Sequence, residues 1–165
     1  MTMRPVVRQA ALAVHLTVSV GWIGGVVCYL ALGLWAINAT DAQSIRAAWA
    51  AMDTLGWYAL VPLAVASLAT GLLMALGTRW GLFRHYWVVI SLILTAVAVV
   101  VLVLHMPDVT TTAQFAATAS TAQLNDLGGD LAHPGIGLVL LLVIQTLNLY
   151  KPRGLTRYGQ RRKGE

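Results

Sequence analysis

Four histidines, His15, His85, His105 and His133, are the residues of this sequence best suited to site chemistry. Neutral imidazole ligates haem iron, copper and zinc. His105 closes one apolar stretch and His133 immediately precedes the next, so the two are expected at matching depth. Met106 beside His105 would add a soft thioether suited to Cu(I), and Asp130 would add a carboxylate. His105, His133 and Met106 are therefore the candidate metal ligands, and His15, His105 and His133 the candidate cofactor-binding residues. His85 and His105 stand 20 residues apart. On one helix that is about 30 Å and about 200° of rotation, so they cannot serve one metal. His85 reads as an interfacial anchor within Arg84–His85–Tyr86–Trp87. Cys28 is the only cysteine, which excludes an internal disulfide, a CxxC redox pair and covalent haem through CxxCH. No nucleophile–base pair appears besides these imidazoles, so an enzymatic reading is uncertain and leans to no.

The elements that must position these residues are membrane spans. The chain has 165 residues, 58% hydrophobic and only 10% charged, with 11 basic and 6 acidic side chains. A soluble domain carries about 25% charged residues. A soluble enzyme, a disordered tail and a nucleic-acid module are excluded, despite the sequence pI of 9.9. Windows free of charge run over 32 residues (9–40), 25 (54–78), 23 (85–107) and 20 (131–150). Roughly 20 apolar residues cross a bilayer core. The expected fold is all-α: a polytopic membrane protein forming a single domain over 1–165. Its four transmembrane helices, near 10–37, 55–77, 85–105 and 134–150, are expected to form an antiparallel bundle. The apolar run of the first is too long for a signal peptide, and it is expected to be retained.

Prolines and glycines set the expected boundaries. Pro107 should end helix three, Pro134 should lie in the first turn of helix four, and Pro152 with Gly154 should end it. Pro62 should kink helix two. Residues 41–53 suit a short interfacial helix, and the outer loop 106–133 is expected to be partly helical around 112–124. Arg4, Arg8, Arg79, Arg84, Lys151, Arg153, Arg157, Arg161, Arg162 and Lys163 gather on one side of a four-span chain, leaving only Arg46 opposite. Both termini are then cytoplasmic, in a bacterial inner membrane. The tail 151–165, through Lys151, Arg153, Arg157, Arg161, Arg162 and Lys163, is expected to lie along the inner surface and bind acidic lipid.

Within the spans no Asp, Glu, Lys or Arg is expected, which weakens a proton-coupled transporter. Ser19, Ser67, Thr70, Ser91, Thr95, Gln145 and Thr146 read as interhelical glue. Gly21 and Gly25 read as a close packing face, with room for a flat cofactor as the sharper alternative. His15, Trp22 and Tyr29 share a stripe at near-helical spacing that suits a bundle core.

Residues 15–30, HLTVSVGWIGGVVCYL, resemble the histidine-then-WxGG opening of small bacterial membrane proteins related to the CopD copper-resistance family. The hairpin TGLLMALGTRWGLFRHYWVVISL (70–92), the segment LAHPGIGLVLLLV (131–143) and the tail YKPRGLTRYGQRR (150–162) resemble an uncharacterised bacterial family of small four-helix integral membrane proteins. The CopD-like resemblance implies copper handling or haem, at His15 and the outer histidines. Two function classes follow. One is a small cofactor-binding bundle holding haem b, favoured over copper, through histidines. The other is a non-enzymatic structural or accessory subunit that binds a membrane-protein partner or a second copy of itself.

Overall fold

A computed structural model describes residues 3–78 and 80–161. It is all-helical: α1 (Pro5–Asn38), α2 (Ala42–Leu55), a π-helical turn (Gly56–Leu60), α3 (Val61–Gly77), α4 (Tyr86–Thr118), α5 (Thr121–Asn125), α6 (Ala132–Tyr150) and α7 (Arg157–Arg161). Four stretches are long and apolar enough to cross a membrane: α1, the run Ala42–Gly77, α4 and α6. Their outer faces are apolar. Val20, Val27, Leu73, Ile93, Leu104, Ile136 and Val139 are all exposed. A water-soluble monomer does not expose apolar surface on that scale, whereas a bilayer covers it.

The core is drawn from one stripe of α1. Trp22, Val26, Tyr29 and Ala36 are buried, against Leu60, Ala64, Val99, Leu141 and Ile144 of the other helices. α1 packs on α2, α3 and α6, and α4 packs on the same three. The small residues of α1 permit the α1–α3 approach, because a Cβ on Gly25 would overlap the Leu60 side chain. Gly21 lies against Leu63 at ordinary contact distance, and nothing lies within 4 Å of a Cβ at Gly24. The close-packing expectation is met at Gly25, while Gly21 has room for a Cβ.

Two boundaries differ from the sequence expectation. Pro107 does not end helix three; it lies inside α4, which continues to Thr118. A proline removes one N–H and crowds the preceding turn, yet helices tolerate it where neighbours supply replacement bonds. Here the continuation is held from outside. Arg46 of α2 donates from Nε to the Ala116 carbonyl (3.1 Å) and from Nη2 to the Ala119 carbonyl (2.9 Å). Thr110 donates to Asp53 Oδ1 at 2.6 Å and accepts from Trp57 Nε1 at 2.9 Å. The second difference is α2. Residues 42–55 are helical, but they bury Ile45, Ala48, Trp49 and Met52 and run on into the second span. They pack as part of the bundle. Pro62 takes the first turn of α3, directly after the π-helical turn, where an extra residue per turn relieves the crowding.

Pro134 sits in the first turn of α6, as expected. At the opposite end Lys151 adopts the left-handed conformation (φ 46°) and turns the chain off the helix. Residues 154–156 then bond to 84–86, and Met3 N–H bonds to the Gly77 carbonyl at 3.0 Å. The N-terminal residues, the 78–85 connection and the tail therefore meet at one end of the molecule.

Candidate metal centre

At the other end, residues far apart in sequence converge on Asp130. His105 Nε2 donates to Asp130 Oδ2 at 2.6 Å, and Tyr29 Oη donates to the same oxygen at 3.0 Å. His133 Nδ1 lies 3.7 Å from Asp130 Oδ1. The two imidazoles stack, with ring centroids 3.8 Å apart and planes inclined by 22°. One ligand atom from each of His105, Asp130 and His133 falls within 4.8 Å of the others. The side chains of Asp130 and His105 are 10% and 17% exposed, while that of His133 is 56% exposed, so the group is closed on the bundle side and open outward.

Each contributor is fixed by its element. Tyr29 and Gly33 are four residues apart on the buried stripe of α1. A Cβ at Gly33 would sit 2.8 Å from the Asp130 carbonyl oxygen. Gly129 in turn lies against the Gly33 carbonyl and Ile37. This pair of glycines lets the 126–131 segment reach the helix backbone and aims the Asp130 carboxylate between Tyr29 and His105. Asp130 and His133 are three residues apart across the start of α6, so one segment supplies both.

The expected depth match of His105 and His133 is reached by another route. His105 lies within α4, well before its end, and His133 lies in the first turn of α6. Met106 does not join them. It is fully buried, with its thioether against Gly56 of the π-helical turn. Consecutive helical residues differ by 100°, so a Met beside an inward-facing His faces elsewhere. His15 stands apart as well, on α1 with Nδ1 2.9 Å from Thr70 Oγ1. It lines a cavity of about 30 Å³ with Ser19, Trp22, Ser67, Thr95, Gln145 and Asn148, room for one water. His85 anchors the 78–85 connection through Nδ1 to the Trp80 carbonyl at 2.7 Å, and packs edge-on against the Trp80 ring. Cys28 is exposed on the apolar outside. Tyr29 was legible only as a core residue. Its one sequence signal was its place on the His15–Trp22 stripe.

The group offers two imidazoles, a carboxylate and a nearby phenol, with no sulfur. Ligand distances near 2.0–2.1 Å in a tetrahedral site put neighbouring donor atoms about 3.3 Å apart. The contacts of 2.6 and 3.7 Å straddle that value. Small side-chain rotations would open the triad around an ion, and Tyr29 Oη lies 3.0 Å from the shared carboxylate oxygen. Axial haem ligation would instead need a porphyrin between two opposed imidazoles. Rings stacked at 3.8 Å leave it no gap. Comparison with protein-family models, curated proteins and solved structures gives no match. The class defined by the fold is a helical protein with four helices long and apolar enough to span a membrane.

Proposed function

We propose that this chain is an integral protein of the bacterial cytoplasmic membrane that binds one divalent transition metal, copper(II) or zinc, at the outer end of an antiparallel four-span bundle. The observation that carries the reading is the convergence of His105, Asp130 and His133 within 4.8 Å, from α4, the preceding segment and α6. An all-nitrogen-and-oxygen set favours these ions over Cu(I), which prefers the thioether that Met106 keeps in the core. The termini are assigned to the cytoplasm by the positive-inside rule, because the end bearing Arg4, Arg8, Arg84 and the tail is the basic one. This revises the favoured cofactor from haem b to a metal ion, and it fits the copper handling that the CopD-like resemblance implies.

A second reading has its own observation. The Tyr29–Asp130–His105 bonds already satisfy the carboxylate without an ion. In that reading the group is a latch that fixes the outer segment of a non-enzymatic accessory subunit. Calorimetric titration of the full-length protein in lipid nanodiscs with zinc and copper(II) separates the two. Binding of one ion per chain, abolished in His105→Ala with His133→Ala and retained in His15→Ala, supports the metal reading. An intact fold with no saturable binding leaves the latch.

A further inference from the structure

The basic tail is built onto the rest of the molecule over residues 151–161; Arg162 and Lys163 lie outside the described residues. Tyr86 N–H donates to the Gly154 carbonyl (3.3 Å) and Thr156 N–H to the Arg84 carbonyl (3.1 Å), with an antiparallel bridge between His85 and Leu155. The Thr156 hydroxyl donates to the Phe83 carbonyl. Gly159 is buried, and any side chain there would strike the Arg84 carbonyl. Lys151 places its ammonium over the Trp80 ring, 5.7 Å from the centroid. Arg84, Lys151, Arg153, Arg157 and Arg161 thus belong to one folded unit.

No carboxylate among the described residues neutralises these cations. The only ion pairs among those residues are those of Asp130 with His105 and His133, at the far end. Phe83, Tyr86 and Tyr158, on the same unit, are exposed. Exposed aromatic rings beside cations that no carboxylate among the described residues pairs with match the interfacial zone of a bilayer, where rings sit at headgroup depth and arginines meet phosphates. A topology signal needs only the charges; docking them in a fixed frame adds preorganisation, which raises affinity by lowering the ordering cost.

We propose that the docked residues 151–161 and the 80–85 connection form a binding surface for anionic phospholipid, with the arginines on headgroup phosphates and the aromatic rings in the interface. The proposal rests on the membrane-spanning reading, and is independent of the metal. The test uses full-length protein in nanodiscs of mixed phosphatidylglycerol and phosphatidylcholine, followed by mild delipidation and counting of retained lipid by native mass spectrometry. Wild type retains phosphatidylglycerol preferentially. Arg153→Gln with Arg157→Gln lowers that preference by roughly fivefold per arginine. Thr156→Pro with Gly159→Leu keeps every charge but removes the N–H, the hydroxyl and the space that seat the tail, and it lowers the preference as well. Equal retention of both lipids by wild type overturns the proposal. So does undiminished preference in either variant; for the undocked one, diffuse charge alone would be enough. Metal binding measured on the same samples stays at its wild-type level throughout, so failure here and failure of the metal reading are distinguishable.

Discussion

Replacing Asp130 by Asn changes the His105–Asp130–His133 group by one charge and almost no volume. Two donors, Tyr29 Oη and His105 Nε2, converge on Oδ2 at 3.0 and 2.6 Å. The Asn carbonyl oxygen can take that position and keep both bonds as neutral ones. A hydrogen bond to a charged group is worth about 1.5–3 kcal/mol and a neutral one about 0.5–1.5. Two bonds each weakened by about 1 kcal/mol give a loss near 2 kcal/mol, or about 30-fold in a local opening equilibrium. The Asp130 side chain is only 10% exposed, so water does little to dilute the effect. Amide hydrogen exchange over residues 126–131, in nanodiscs and without added metal, reads that opening directly. Asp130→Asn should exchange some 30-fold faster there, with the α1 and α3 spans unchanged. Asp126→Asn, an exposed carboxylate in the same segment, should exchange as wild type does. Equal protection in Asp130→Asn and Asp126→Asn would refute the argument that Asp130 pins this segment.

Three further outcomes concern other parts of the molecule. Arg46→Ala leaves the Ala116 and Ala119 carbonyls without their donors and should fray 113–119 by about 1–3 kcal/mol, seen as faster exchange confined to the end of α4. Asp41 caps α2 by accepting from Ser44 N–H at 2.8 Å, and the Ser44 hydroxyl together with this amide holds its carboxyl below the usual carboxylate range. Its contribution is present above the unfolded value near 3.9 and lost as pH falls through the lower folded one. The Ser44 amide resonance should shift over that acid window in wild type and stay flat in Asp41→Asn. Reporter fusions should place residues near 45 and 120 outside and those near 82 and 160 inside; activity of the 120 fusion in the cytoplasm alone would reject the assigned orientation.

The four spans were legible because charge is scarce. A stretch without Asp, Glu, Lys or Arg that is long enough to cross a bilayer rarely occurs outside a membrane span, and each such window holds a long apolar helix. The end of α4 was not legible. Pro107 is a sound local stop signal, but Arg46 and Asp53, 61 and 54 residues upstream, supply the bonds that carry the helix past it. Residues 41–53 have the composition of an interfacial helix. They are buried because α2 packs on both α1 and α4, contacts that their local composition does not announce. The sequence places His105 and His133 at consecutive helix ends; they do stack, but with His105 well inside α4 rather than at its end. The place of Tyr29 did not follow from the sequence, because it meets Asp130 across 101 residues through a close approach at Gly33 that no local pattern announces. Met106 could have been set aside from periodicity alone.

The proposed metal shell consists of two imidazoles and oxygen, where His105, Asp130 and His133 converge. X-ray absorption at the zinc or copper edge of full-length protein loaded with one equivalent of metal tests it most directly. Nitrogen and oxygen neighbours near 2.0–2.1 Å are expected, with multiple scattering from two imidazoles that disappears in His105→Ala with His133→Ala. Sulfur scattering near 2.3 Å, or an imidazole signal that survives the double substitution and is lost in His15→Ala, would contradict it.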